Sequence, residues 1–574
     1  MNQQRVAEYR LFSDGMPVPG NIEVLAVSVF KNANKVTLAK ITIAEGDADR
    51  ANFENSGSNL FRVGNTIEIQ LGFDNDLNTV FEGIVVNHAI SVRPNLSRME
   101  ITCMDESVKM TISRKSRYFE PQTSDTDAIN LILADNGLTS GKVENTPHKH
   151  PQLVQYNATD WDFICTRADS NGLLVSTDFN QLSLLKPKLS APKAKLVFGT
   201  NIYELDLQTD GRFHYQTINA KAWQPAEQKM KDLQAQTDFS NDQGDFSTQE
   251  LADALHAKEI DLQFPAALLE TELTAWANAL QTKSELAKIR GRISIEGTHK
   301  IQVGDTIEIA GAGEQFNGTA YVTGIAHTLA SGNWKCDVQV GLPPEWFTQQ
   351  HPDLLAMPAE GLLPAASGLH IGIVTKLEGD PDNEFRIKVR MPTISENEEG
   401  VWVRIATLDA GKERGTVFRP EINDEVVIGF LNGDPRFPVL LGMLHSSKHP
   451  APIEPKDLNH EKGYTSRSKM QLHFNDEKNI ITIKTPKGNT IILNDEKDSL
   501  TITDSNKNEI LMHKEGINIT CIKDINIKAE GNITVNGNDI TLDAKAKFTA
   551  KAQSGAELST SAIAVIKGST VQIN

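Results

Sequence analysis

The sequence predicts a mainly β chain: two β-barrels with helices between them, an OB-fold barrel, and a C-terminal β-helix that three copies wind together. Three observations carry this. Short apolar–polar–apolar triplets fill the last hundred or so residues. Alternating strand-like runs separated by turn residues fill residues 20–115 and return at 292–340. A third set lies between Leu369 and Leu444.

The triplets are Ile481-Thr482-Ile483, Leu500-Thr501-Ile502, Ile517-Asn518-Ile519, Ile525-Asn526-Ile527, Ile533-Thr534-Val535 and Ile540-Thr541-Leu542. Successive side chains of a strand point to opposite faces, so each triplet is a two-faced strand. Gly516, Gly531, Asn536 and Gly537 supply turns. A repeated array of this kind shares one continuous core. One chain offers only two inward positions per strand, so three chains around an axis are needed to bury Ile517, Ile519, Ile525, Ile527, Ile533, Val535, Ile540 and Leu542. With about twelve strands at roughly 5 Å spacing, the prism is on the order of 60 Å long. A single-chain β-solenoid is the alternative, but the period is short for a three-sided coil.

From the N-terminus, Ile22–Phe30, Lys35–Ile43, Thr66–Phe73, Val80–Val86 and Arg98–Cys103 read as strands of a first barrel, residues 1–120. Closure into a barrel would remove exposed edges. Asp125–Asn136 reads as a helix ended by Gly137. Thr159–Ser170 reads as a second, with Asp160 as a candidate cap. Leu251–Ile260 and Ala266–Leu286 read as further helices. Arg292–Ile295, Thr306–Ile309, Gly318–His327 and Trp334–Val340 complete a second barrel within residues 121–350. Residues 351–368 form a linker. The OB-like unit, 369–446, draws on Ile371–Leu377, Phe385–Arg390, Val401–Ala406, Thr416–Arg419, Glu425–Phe430 and Pro438–Met443. A second linker, 447–473, leads to the needle, 474–574.

Composition narrows the function. A length of 574 residues suits about three to five domains. With 57 Lys and Arg against 75 Asp and Glu, the net charge of −18 argues against nucleic acid and anionic membrane surfaces. Cys103, Cys165, Cys336 and Cys521 are far apart and read as single thiols. Met1–Arg10 lacks the apolar core of a signal peptide.

No catalytic or metal residues, and no cofactor, are expected. His445 and His449 precede Pro450 in a loop-like stretch, and His148 and His150 between Pro147 and Pro151 read as a solvated loop. Gly311-Ala312-Gly313 lacks the strand-then-helix setting of a phosphate loop. Asp47 with Asp49 and Asp74 with Asp76 read as solvated turns. Trp402, Phe418, Phe430 and Phe437 of the OB unit read as core or subunit contacts, not as a stacking platform for single strands. Lys545, Lys547, Lys551 and Lys567 read as the wet face of the prism.

Several motifs together resemble one family. They are Phe61-Arg62-Val63-Gly64-Asn65-Thr66-Ile67-Glu68-Ile69, Phe81-Glu82-Gly83-Ile84-Val85, Asp160-Trp161-Asp162-Phe163-Ile164, Gly304-Asp305 and Tyr321-Val322-Thr323-Gly324-Ile325. The OB unit adds Trp402-Val403-Arg404, Phe418-Arg419-Pro420-Glu421, Asp424–Phe430, Gly433-Asp434-Pro435 and Pro438-Val439-Leu440. In this order, ahead of the strand array, they resemble the VgrG-family spike of contractile injection systems, found in type VI secretion, phage tails and extracellular injection particles. The resemblance implies a homotrimer whose six hub barrels face an Hcp-like tail-tube ring. It implies baseplate and effector partners, transient contact with a target membrane, and a PAAR-repeat cap on a tip at Val571 and Ile573. It implies assembly in the bacterial cytoplasm and delivery by the machine. The span from Leu444 to Phe474 is too short for the lysozyme domain of some phage relatives, so a bare spike is expected. The competing readings are a needle-bearing cell-wall hydrolase and a receptor-binding tail fibre.

Overall fold

A computed structural model describes residues 5–46, 52–93, 97–237 and 239–573. The pair Asp47 and Asp49 lies outside them. The chain forms two compact units, residues 1–369 with 429–438, and 370–428 with 439–574.

The first unit is built on one 13-stranded sheet. Its principal strands are β1 (Ala7–Ser13), β2 (Val24–Asn32), β3 (Leu38–Ala44), β4 (Thr66–Phe73), β5 (Asp76–Ser91) and β6 (Arg98–Met104). They are followed by β7 (Ala194–Val197), β8 (Ile202–Thr209), β9 (Ile289–Glu296), β10 (Thr306–Ala310), β11 (Gly318–Ala330) and β12 (Asn333–Val340). The first six pair in the order β1-β4-β5-β6-β3-β2. The second six pair as β7-β10-β11-β12-β9-β8, the same path repeated.

The repeat extends to detail. Val63-Gly64-Asn65-Thr66-Ile67-Glu68-Ile69 and Val303-Gly304-Asp305-Thr306-Ile307-Glu308-Ile309 differ only at Asn65 and Asp305. Both segments lead into the second strand of their path. Val86 is passed over in the pairing of β5 with β6, as Thr323 is between β11 and β12. Leu25 is passed over between β2 and β3, as Tyr203 is between β8 and β9. Such bulges bend a strand at a fixed place. One difference stands out: β1 runs antiparallel to β4, whereas β7 runs parallel to β10.

The two barrels expected from sequence are not independent. β2 pairs antiparallel with β11, from Asn32 opposite Gly324 to Ala26 opposite Ala330. A single apolar core crosses the joint, with Val27, Val29, Ile41, Ile101, Ile293, Ile325 and Val338 all buried.

Helices α1 (Asp125–Asp135) and α2 (Asp160–Ser170) share a second core. The cap of α2 is Thr159, whose hydroxyl accepts the Asp162 N–H; Asp160, the expected cap, is instead buried. The helix expected over Leu251–Ile260 is shorter, α3 (Thr248–Ala254). Glu259–Phe264 is drawn into a strand by parallel pairing with Thr217–Gln224, a contact that local propensity cannot register. That small sheet packs on α4 (Glu270–Ala287) through Ala220, Ala222, Leu273 and Ala277.

In the second unit, His370–Lys376, Ile387–Arg390, Val401–Ile405, Pro438–Met443 and Glu425–Phe430 close a five-stranded barrel. Its core is Val374, Ile387, Val389, Val403, Val426, Ile428 and Leu440. The strand expected at Thr416–Arg419 does not form; a two-residue pairing of Arg414–Gly415 with Ala410–Gly411 stands just before it. A seven-stranded antiparallel ladder follows, from Glu461–Thr465 to Gly516–Thr520. Its first rung precedes the boundary read at residue 474.

Candidate functional site: the open face of the strand ladder

The ladder register sorts its side chains completely. Ile481 lies opposite Phe474 and Leu493; Ile483 lies opposite Leu472 and Ile491. Leu500 lies opposite Leu493 and Met512; Ile502 lies opposite Ile491 and Ile510. Ile517 and Ile519 finish the rows opposite Met512 and Ile510. From the second rung on, two unbroken apolar columns therefore share one face of the ladder, with Lys462 and Tyr464 ahead of them on the first rung. The central column of the other face is mixed: His473, Thr482, Ile492, Thr501, Leu511 and Asn518.

Turn chemistry fixes this register. Asn475-Asp476-Glu477-Lys478 and Asn494-Asp495-Glu496-Lys497 are the same turn used twice. In each, the Asn side-chain oxygen accepts the Lys backbone N–H, at 3.0 Å in the first and 3.1 Å in the second. Asn479 and Asp498 then take left-handed backbone angles. A one-residue slip would move both columns to the other face.

The apolar face is bare in a single chain. Leu472, Phe474, Ile483, Ile491, Leu493, Ile502 and Met512 are all exposed. Full burial of such a side chain is worth about 1.5–3 kcal/mol.

Of the residues expected in a trimer core, Ile517 and Ile519 fall on the last rung of this face. Ile525, Ile527, Ile533, Val535, Ile540 and Leu542 are exposed and belong to no strand of the lone chain, as are Val571 and Ile573. The expected tail strands thus do not form within one chain. The spacing of the triplets also changes there. Ladder strands begin at residues 461, 471, 480, 490, 499 and 509. The later triplets begin at 517, 525, 533 and 540. The repeat thus shortens after the last hairpin, whose strands begin at 509 and 516, and the chain beyond Thr520 carries no strand of its own.

A second cluster corrects the reading of His148 and His150, which are buried and face Asp125, the first residue of α1. The Asp125 carboxylate accepts from His148 Nε2 at 2.9 Å and His150 Nε2 at 3.1 Å. It also accepts from Arg167 Nε at 2.6 Å and Asn171 Nδ2 at 2.9 Å. Burial by itself would raise the Asp125 pKa; the donors His148, His150 and Arg167 outweigh it and hold the carboxyl well below its usual range. The ligand atoms of Asp125, His148 and His150 lie within 4.8 Å of one another, as around a metal ion. Here Arg167 already supplies the neutralising cation, and its Nη2, which donates to Asp125 at 3.0 Å, also donates to Glu272 of α4 at 3.3 Å. The cluster is a buried clamp joining α1, α2 and α4.

Asp74 and Asp76 lie at the turn between β4 and β5, as expected. His445 and His449 lie outside strands and helices. None of Trp402, Phe418, Phe430 and Phe437 reaches the OB-barrel core; Phe418 instead packs against Tyr464 of the first rung, ring centres 4.9 Å apart. No helix among the described residues is long and apolar enough to cross a membrane.

A duplicated strand module, an OB barrel and a ladder with one bare apolar face define a hub-and-spike protein. Comparison with known proteins agrees. Residues 3–331 match the Alg8 N-terminal domain family, and residues 370–445 match the type VI secretion system/phage-baseplate injector OB domain. The chain belongs to the Alg8 N-terminal domain family, and over part of its length it is similar to VgrG-family spike proteins. Over 96 residues it is 33% identical to the type VI secretion system spike protein VgrG3 of Vibrio cholerae, covering 16% of this chain and 9% of that one. Over 105 residues it is 33% identical to spike protein VgrG5 of Pseudomonas aeruginosa, covering 17% and 13%. The chain spans less than a fifth of the length of these curated relatives. Among solved structures, it overlaps an E. coli type VI secretion component described as similar to T4 phage tail proteins gp27 and gp5. There the identity is 14%, the coverage 76% of this chain and 99% of that one, and the TM-score 0.39.

Proposed function

We propose that three copies assemble into the hub and spike of a contractile injection system. The observation that carries this is the pair of unbroken apolar columns, continued by exposed Ile525, Ile527, Ile533 and Val535. Three ladders packed face to face would bury the columns. Beyond Thr520 the strands would pair between chains, since the lone chain forms none there.

The duplicated module supports the hub half of the reading. Two similar modules in each of three chains give six units around an axis, a match for an Hcp-like six-membered tube ring. The same chains then narrow to a threefold needle. A PAAR-repeat protein would cap the end near Val571 and Ile573, and baseplate proteins and effectors would ride on the hub. Sheath contraction would drive the needle through a target membrane. The role is mechanical, not catalytic.

The test is the Ile527→Asp variant, which would bury three unpaired charges on the axis, each costing several kcal/mol. Gel filtration with light scattering is expected to give a trimer for the native chain and a soluble monomeric hub for the variant. An unchanged trimer for the variant would count against the reading.

A further inference from the structure

Two long edges of the 13-stranded sheet stand open among the described residues. Apart from a bridge from Ile202 to Phe198, β8 pairs only with β9. After Val85, whose outer edge is bonded to Gly64 and Asn65, β5 pairs only with β6. Unpaired edges invite strand addition. The internal repeat specifies what fits them.

Within the chain, the strand that ends the first path, β2, lies on β11 of the second. The repeat equates β2 with β8 and β11 with β5. The shared bulges fix the correspondence residue by residue: Val27 with Leu205, Val29 with Leu207, His327 with Ile90, and Leu329 with Val92. We propose that β8 of one copy adds antiparallel to the end of β5 of a second copy, in the register by which β2 joins β11. The proposal rests on the threefold assembly above and names its hub interface.

The in-chain pairs Val29 with His327, Val27 with Leu329 and Ala26 with Ala330 transfer directly. Between copies they become Leu207 with Ile90, Leu205 with Val92, and Glu204 with Arg93. The first two are apolar pairs and the third joins opposite charges, although nothing in the transfer selected for either. Exposure points the same way. Leu329, covered by β2, is 4% exposed, whereas its counterpart Val92 is 58% exposed; buried His327 corresponds to Ile90, 45% exposed. Val27 and Val29 are fully buried under β11, while Leu205 and Leu207 are only partly buried. The first module bares what the second covers. Each copy offers one β8 and one β5 edge, a head-to-tail contact that closes into a ring.

The test uses the full chain with Cys521→Ser, carrying Leu207→Cys with Ile90→Cys. A second chain carries Glu204→Cys with Arg93→Cys at the more exposed pair. Directly opposed cross-strand positions lie within disulfide reach. After oxidation, both are expected to give linked dimers and trimers on a non-reducing gel. The offset pair Gln208→Cys with Ile90→Cys, on opposite faces, is expected to stay unlinked. A trimer by light scattering in which neither matched pair links, or in which the offset pair links equally, overturns this interface and leaves the spike reading standing. A monomer overturns both.

Discussion

Asp125 is the side chain on which the helical layer depends. Its carboxylate balances buried Arg167 and orients His148 and His150. Removing one partner of a buried pair costs about 3–5 kcal/mol, because the other charge is stranded. Asp125→Ala is therefore expected to lower the melting temperature of the first unit by several degrees, read by calorimetry; an unchanged transition would refute the clamp. The folded pKa is depressed, so the stabilisation is full above the unfolded value of about 3.9 and is lost as pH falls below it. Acidification from pH 5 to 2 should destabilise the native chain more steeply than the variant. The residues of this clamp were visible in the sequence, but their meeting was not. His148 and His150 sit in a Pro-flanked stretch whose local signal is that of a loop. What buries them is a carboxylate more than twenty residues away and an arginine on another helix.

Among the elements, the joint between β2 and β11 carries a titratable group of its own. His327 lies opposite Val29, with Nδ1 3.0 Å from Cys336 Sγ. Burial, aided by Lys31 and His299, lowers its pKa to about 3. The unfolded chain takes up this proton near pH 6.5, so stability is full above that value and falls as pH drops toward 3. Melting of the hub is expected to weaken between pH 6.5 and 4.5, and His327→Phe to flatten that slope. An unaltered slope would contradict the assignment.

Strands such as Thr66–Phe73 were legible because large apolar residues alternate along them. Thr217–Gln224 was not, because two of its three buried positions, Ala220 and Ala222, are small and leave little contrast with their neighbours. The duplicated Val-Gly-x-Thr-Ile-Glu-Ile segment was legible in principle, but only by setting residues 63–69 beside 303–309. The twice-used Asn-Asp-Glu-Lys turn marks the ladder in the same way.

For the whole molecule, one chain is an unfinished object. Its hub holds two strand edges open and its ladder holds two apolar columns bare. Leu500→Asp, placed between Leu493 and Met512, is expected to abolish assembly of the ladder while the hub still melts cooperatively, as seen by light scattering and calorimetry. Assembly as before would refute a dry interior there. The segment from Cys521 to Ile573 carries the central claim, since it has no strand in one chain and is proposed to gain all its pairing from two others. Amide hydrogen exchange of the native assembly reads this directly. Strong protection at Ile525, Ile527, Ile533 and Val535, lost on dissociation, is the predicted result; rapid exchange throughout the segment in an intact assembly would contradict it.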